Sequence, residues 1–175
     1  LVMKIFGLAG WSGSGKTTLV TRLLPELIVR GYSVSTVKHA HHNFDIDKPG
    51  KDSYAHRRAG ATEVMVSSAN RWALMHENCS GSEPSLEALV ARMSAVDLLL
   101  IEGFKRDRHA KLEIHRPSVG KDLLCVDDPY IVAVASDAVL PQVQVPVIGL
   151  DDVPAIADFI LSQVGLIRSV SHDTA

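Results

Sequence analysis

With 175 residues, 46% of them apolar and 22% charged, the chain can bury one core of useful size and is not of the composition that stays unfolded. A formal net charge of -2 gives no general electrostatic footprint for nucleic acid or an anionic membrane. No apolar run reaches the ~20 residues that span a bilayer, and no signal peptide is read at the start. Cys79 and Cys125 are isolated, without CxxC spacing. That spacing argues against a disulfide scaffold or a zinc site and points to the reducing cytoplasm.

Taken in chain order, Lys4 to Ala9 reads as a short buried strand and Lys16 to Arg30 as a helix. The rows Leu19, Leu23, Leu27 and Val20, Leu24, Ile28 make one wide apolar stripe. Pro25 should kink this helix, and Gly31 ends it. Ser33 to Lys38 alternates as a strand, and the polar stretch from His39 to Lys51 is a loop. Asp52 or Ser53 is placed to cap a short helix ending near Gly60. Glu63 to Ser67 and Trp72 to His76 are strands about a "SANR" turn, and Leu86 to Met93 is helical. The wholly apolar Leu98 to Ile101 is expected at the centre of a sheet covered on both faces. Lys111 to Arg116 alternates, which suggests an edge strand and an exposed pairing surface. Ile131 to Ala135 and Val147 to Leu150 complete the strands, Pro154 to Val164 is the last helix, and the tail from Ser169 reads as disordered. Strands alternating with helices predict an α/β three-layer sandwich, with a mostly parallel central sheet and an edge β extension. One domain over residues 3–168 accounts for the chain, with 169–175 as its tail.

Between the first strand and the first helix stands "GWSGSGKT", Gly10 to Thr17, a full match to G-x-x-x-x-G-K-[ST]. Glycines let the backbone turn successive N–H groups inward as a cradle for phosphate oxygens. The helix opening at Lys16 aims its unpaired amides and positive dipole end at the same place. Gly10, Ser12, Gly13, Ser14, Gly15, Lys16, Thr17 and Thr18 are therefore the candidate phosphate contacts. Lys16 is expected to reach the β- and γ-phosphates, and the Thr17 hydroxyl to ligate Mg²⁺.

Such a site also needs an acid. "VDLLLIEGFK" carries Asp97 and Glu102 on either side of one strand, about 16 Å apart at ~3.3 Å per residue. Ligands bind beyond the carboxyl ends of parallel strands. Glu102 is therefore assigned to magnesium or its water, and Asp97 to the far end as a strand-entry residue.

This loop makes the sandwich P-loop NTPase-like and the single domain a P-loop nucleotide-binding one, which alone leaves many functions open. "TVKHAHHNFDIDKPGKDSYAHRRAGA", Thr36 to Ala61, together with "LLLIEGFK", closely resembles the molybdopterin-guanine dinucleotide biosynthesis protein B family, MobB, and the resemblance runs from Met3 to about Val164. It implies a homodimeric, GTP-binding P-loop protein. Such a protein assists the nucleotidyltransferase MobA, which joins GMP to molybdopterin in making the guanine dinucleotide form of the molybdenum cofactor. MobB itself is implied to be an adaptor with weak GTP hydrolysis.

Read from its residues, the second block follows the second strand and should emerge on the carboxyl face with the phosphate loop. There Asp45, the third candidate for a catalytic role beside Lys16 and Glu102, and Asp47 are placed to hold water or magnesium near a γ-phosphate. Lys51, Arg57 and Arg58 are placed to meet phosphates or an anionic pterin, with a solvated helix face the alternative for Arg57 and Arg58. The Asp45, Asp47, Gly50 spacing departs from an EF-hand at Pro49 and His56, which excludes calcium. His39, His41 and His42 remain open between ligand contact, a metal pair and solvated loop positions. The guanine-reading [NT]-K-x-D is absent. Asp137, closing "VAVASD", stands where its aspartate would be, with a carboxylate suited to guanine N1–H and N2–H₂; a turn-capping role is the alternative. GTP over ATP thus rests mainly on the resemblance. A small-molecule kinase and a metal-delivering GTPase are the competing functions, weakened by the lack of an arginine-rich lid and of further Cys/His clustering.

Overall fold

The computed structural model describes residues 2–40, 44–78, 81–104 and 107–166. His41, His42, Cys79 and the tail from Ser169 lie outside the described residues. The chain divides into two compact units, Leu1–His39 with Ser94–Ala175, and Ala40–Met93.

The first unit is built on six strands, β1 (Lys4–Ala9), β2 (Val34–Lys38), β5 (Leu98–Glu102), β6 (Lys111–His115), β7 (Ile131–Ser136) and β8 (Val147–Gly149). They lie in the order β2-β5-β1-β6-β7-β8, and every neighbouring pair is parallel. The α/β architecture with a parallel central sheet is the one the sequence predicts. Helices α1 (Lys16–Val29) and α4 (Val153–Gln163) pack against this sheet. Leu19, Leu23 and Leu27 of α1 and Ile156, Ala157 and Ile160 of α4 share one core with Phe6, Leu8, Leu98, Leu100, Leu112 and Ile114. Helix α1 runs through Pro25 as a single element. β5 is buried along its apolar length, as expected of a strand covered on both faces.

β6 corrects the edge-strand expectation. It lies between β1 and β7, and all five of its residues are buried. Leu112 and Ile114 face the helical core. Lys111, Glu113 and His115 occupy the other face and are buried; Lys111 and Glu113 find partners in the segment that follows, where two 3₁₀ turns form at Pro117–Val119 and Leu124–Val126, and His115 Nδ1 lies 4.0 Å from Glu113. The Lys111 ammonium lies 2.9 Å from Asp128, and Glu113 accepts the Leu124 and Cys125 amides at 2.8 and 2.9 Å. Alternation is equally the pattern of an edge strand and of an interior strand whose second face is polar and satisfied. The sheet's edges are β2 and β8.

Burial first, and then the neighbouring Glu113, push the Cys125 thiol up to about 11. At pH 7.5 its thiolate fraction is then below ~0.1%. In a Cys79→Ser background, iodoacetamide is expected to alkylate the folded chain slowly until the pH passes 10. Rapid labelling at pH 7.5, at the rate of free cysteine, would contradict this burial.

The second unit holds α2 (Asp52–Arg58), the antiparallel hairpin β3 (Glu63–Ser67) and β4 (Trp72–His76), and α3 (Leu86–Val90). The cap of α2 is Lys51, with no side-chain bond, rather than Asp52 or Ser53. Asp52 instead stands in the first turn and His56, Arg57 and Arg58 in the last, both favourable to the helix dipole. α3 is capped by Ser85 and ends before Met93.

Candidate phosphate-binding site

β1 ends at Ala9, and the chain turns through Gly10 to Gly15 into α1. Gly10 is buried at φ +147°, and a Cβ there would stand 2.6 Å from the Ile114 carbonyl oxygen and 2.7 Å from Ser14 Oγ. Glycine is required by this close approach of the loop to β6. Gly15 caps α1 at φ +99°, in the left-handed region. The helix opens with no side-chain cap bond and no acidic residue in its first turn. Its amide end is thus left to an anion.

The Lys16 ammonium reaches back over the loop and donates to the Gly10 and Trp11 carbonyls, both at 2.9 Å. Ser14 is 2% exposed, and its hydroxyl has no partner among the described residues. A buried donor of this kind beside the uncapped amide end of α1 fits phosphate oxygens. Ser12, Gly13, Thr17 and Thr18 are exposed around it. Trp11 ties the loop down, its indole N–H donating to the Asp122 carbonyl at 2.8 Å.

Glu102 closes β5 beside the loop-bearing strand, since the register pairs it with Leu8 of β1. Its carboxylate is largely shielded, with Lys38 Nζ 3.7 Å away. Thr17 hydroxyl and Glu102 carboxylate are hard oxygen donors of the kind magnesium takes. Asp97 sits at the opposite end of β5, accepting the Ser33 amide and hydroxyl at 2.8 and 2.7 Å. His39, next to Glu102 by way of a 2.8 Å bond from its amide to the Glu102 carbonyl, packs its ring 4.8 Å from Phe104. Phe104 itself holds φ +48°, a conformation that costs ~1 kcal/mol or more outside glycine.

Asp137 follows β7 and lines an open groove of ≈ 690 Å³ with Ala138, Val139 and Leu140, and with β8 and Leu150 to Asp152 after it. The groove lies beyond the carboxyl ends of β7 and β8, where parallel sheets bind ligands. Arg116 was not among the sequence candidates. It follows β6 directly, and its guanidinium donates to Asp137 Oδ2 at 2.6 Å and to the Ser14 carbonyl at 3.2 Å.

In the second unit, Asp45 and Asp47 each lie 2.7 Å from Arg57 Nη2, and Glu77 lies 3.4 Å from its Nη1. The Asp47 hydrogen bond, above all, holds the Arg57 guanidinium well above its ordinary range. Arg57 is thereby taken up as an internal tie rather than left open to phosphates. Among the described residues no group of three or more His, Cys, Asp or Glu side chains is arranged to hold a metal.

A parallel sheet whose first strand feeds a complete G-x-x-x-x-G-K-T loop into an uncapped helix defines a P-loop, nucleotide-binding class of α/β protein. The family model described as "Molybdopterin guanine dinucleotide synthesis protein B" (MobB) matches residues 5–137, and the chain belongs to that family. It is 43% identical over 163 residues to the molybdopterin-guanine dinucleotide biosynthesis adapter protein of Escherichia coli strain K12, covering 91% of this chain and 93% of that one. It is 40% identical to the Haemophilus influenzae protein of the same name, covering 89% and 86%. A crystal structure of molybdopterin-guanine biosynthesis protein B superposes with a TM-score of 0.71 at 28% identity, over 91% of this chain and 99% of that one. No helix among the described residues is long and apolar enough to cross a membrane.

Proposed function

We propose that this chain is a GTP-binding adaptor in the biosynthesis of the molybdopterin guanine dinucleotide cofactor. It works beside a MobA-like nucleotidyltransferase and molybdopterin in the cytoplasm, with weak Mg²⁺-dependent hydrolysis. The observation that supports the reading is a complete phosphate loop in a chain of the MobB family, with an uncapped helix end, a buried Ser14 hydroxyl and Lys16 folded back over the loop. Bound magnesium would supply charge neutralisation at the phosphates. Of this chain's residues, Thr17 and Glu102 hold the ion, and Lys16 meets the β- and γ-phosphates. Asp137 accepts from guanine at the groove. The test is GTP titration with and without molybdopterin and the partner enzyme. GTP binding that strengthens in their presence is the expected result. Nucleotide turnover that requires a small-molecule acceptor would instead make the chain a kinase.

Strand polarity yields a sharper check. Glu102→Gln is expected to weaken magnesium-dependent binding or hydrolysis by about tenfold or more, because it removes a charged oxygen ligand. Asp97→Asn, at the other end of the strand, should leave it within about twofold. A larger functional loss at Asp97 would refute the assignment.

A homodimer is part of the same proposal. The edge around Lys111 to Arg116 no longer supports it, since that strand is interior. Support comes instead from the hairpin, where Met65 pairs with Leu74 and Ser67 with Trp72. These residues share one face, on which Met65 is 60% and Trp72 65% exposed. Met65→Lys with Leu74→Lys is expected to convert a dimer in sedimentation to the 18.9 kDa chain. Retention of the dimer would place the interface elsewhere.

A further inference from the structure

Three strands decide where Arg116 stands. β6 is flanked by β1, whose end opens the phosphate loop, and by β7, whose end carries Asp137. A residue just past β6 on the carboxyl side therefore sits between the two loops. Its planar guanidinium suits that place, because a fixed fork of donors can serve two acceptors at once. Nε donates to the Ser14 carbonyl at 3.2 Å and Nη1 to Asp137 Oδ2 at 2.6 Å. The same group lies across Gly15, where a Cβ would stand 3.4 Å from Nε. Ser14 is the loop residue with the orphaned hydroxyl, and Asp137 lines the groove beyond β7 and β8.

We propose that Arg116 is a positioning residue that couples base recognition to the phosphate loop, holding the Asp137 carboxylate at the groove while anchored on Ser14. This rests on the GTP-binding reading and on Asp137 as the guanine acceptor. A carboxylate fixed through one oxygen by a charge-assisted bond keeps its second oxygen and remaining lone pairs for two guanine donors. Without the guanidinium, Asp137 is a short side chain at a strand end with other rotamers open to it. Adenine, which offers no donor pair of that kind, gains nothing from the fixation. The coupling therefore acts on the ratio of the two nucleotides.

The experiment is competition binding of GTP and ATP to the full chain, with thermal melts of each variant. The variants are Arg116→Ala, Arg116→Lys, Asp137→Asn and the Arg116→Ala/Asp137→Asn double. Wild type is expected to prefer GTP, and each of Arg116→Ala and Asp137→Asn to shrink the GTP:ATP ratio by at least about fivefold. The double variant should lose no more than either single, because the two residues act as one device. Arg116→Lys should recover part of the ratio, keeping a charged donor for Asp137 without the fork. A purely structural Arg116 would lower the melting temperature and weaken both nucleotides alike with the ratio intact, and that result overturns the coupling. So do losses that multiply in the double variant. If Asp137→Asn collapses the ratio and Arg116→Ala does not, the coupling alone fails. If wild type binds no triphosphate, or binds GTP and ATP equally, the GTP reading itself fails and the coupling with it.

Discussion

Lys16→Ala is expected to abolish tight triphosphate binding and to leave the fold in place. The ammonium donates to the Gly10 and Trp11 carbonyls, bonds made at a partly exposed loop. Alanine is the best helix former at the first position of α1. The buried face of that helix, Leu19, Leu23 and Leu27, begins a turn further on. Little stability is therefore at stake. For the nucleotide the change is of another order, since hydrogen bonds to charged groups contribute ~1.5–3 kcal/mol each. Losing contacts to two phosphates should weaken affinity by about a hundredfold or more. Circular dichroism and nucleotide titration on the same preparation check both halves. An unchanged affinity in a folded variant would remove the phosphate loop from the site.

That loop was the most legible part of the chain because its chemistry is local. Eight consecutive residues hold the glycines, the lysine and the hydroxyl, and the strand before and helix after them announce themselves by period. β5 was legible for a related reason, as four apolar residues in a row fit only a doubly covered strand. β6 was not. "KLEIH" alternates, and nothing within it tells whether its polar side chains meet water or a half-buried Asp128 and two amides. Those partners lie 17, 11 and 12 residues away. Arg116 was missed through the same error. Placed at the end of an edge strand it reads as a surface charge. Placed between β1 and β7 it reaches Ser14, 102 positions earlier. Asp45 and Arg57 show the converse. The sequence offers Asp45 to water or magnesium and Arg57 to phosphate or an anionic pterin, but only the folded second unit shows them paired with each other. Their charges are thus partly satisfied before any ligand is considered.

The buried face of β6 also makes the largest stability prediction. Lys111 is 1% exposed, with Asp128 as its ion-pair partner at 2.9 Å and the Tyr130 ring 5.3 Å away. Asp128 further accepts the Tyr130 amide at 2.9 Å, which fixes the entry to β7. Asp128→Ala leaves a desolvated ammonium without its carboxylate partner. Breaking a buried pair from one side costs ~3–5 kcal/mol, a large fraction of the ~5–15 kcal/mol that holds a domain. At about 2–4 °C per kcal/mol for a chain of this size, the melting temperature should fall by on the order of 10 °C. Lys111→Met removes the charge and keeps most of the stem's volume, so the cost comes from the stranded ion rather than from lost packing. The Lys111→Met/Asp128→Ala double variant is accordingly expected to melt above Asp128→Ala alone. If the double melts at or below the single, the ammonium is not what the carboxylate neutralises, and Asp128 stabilises the chain through the Tyr130 turn instead.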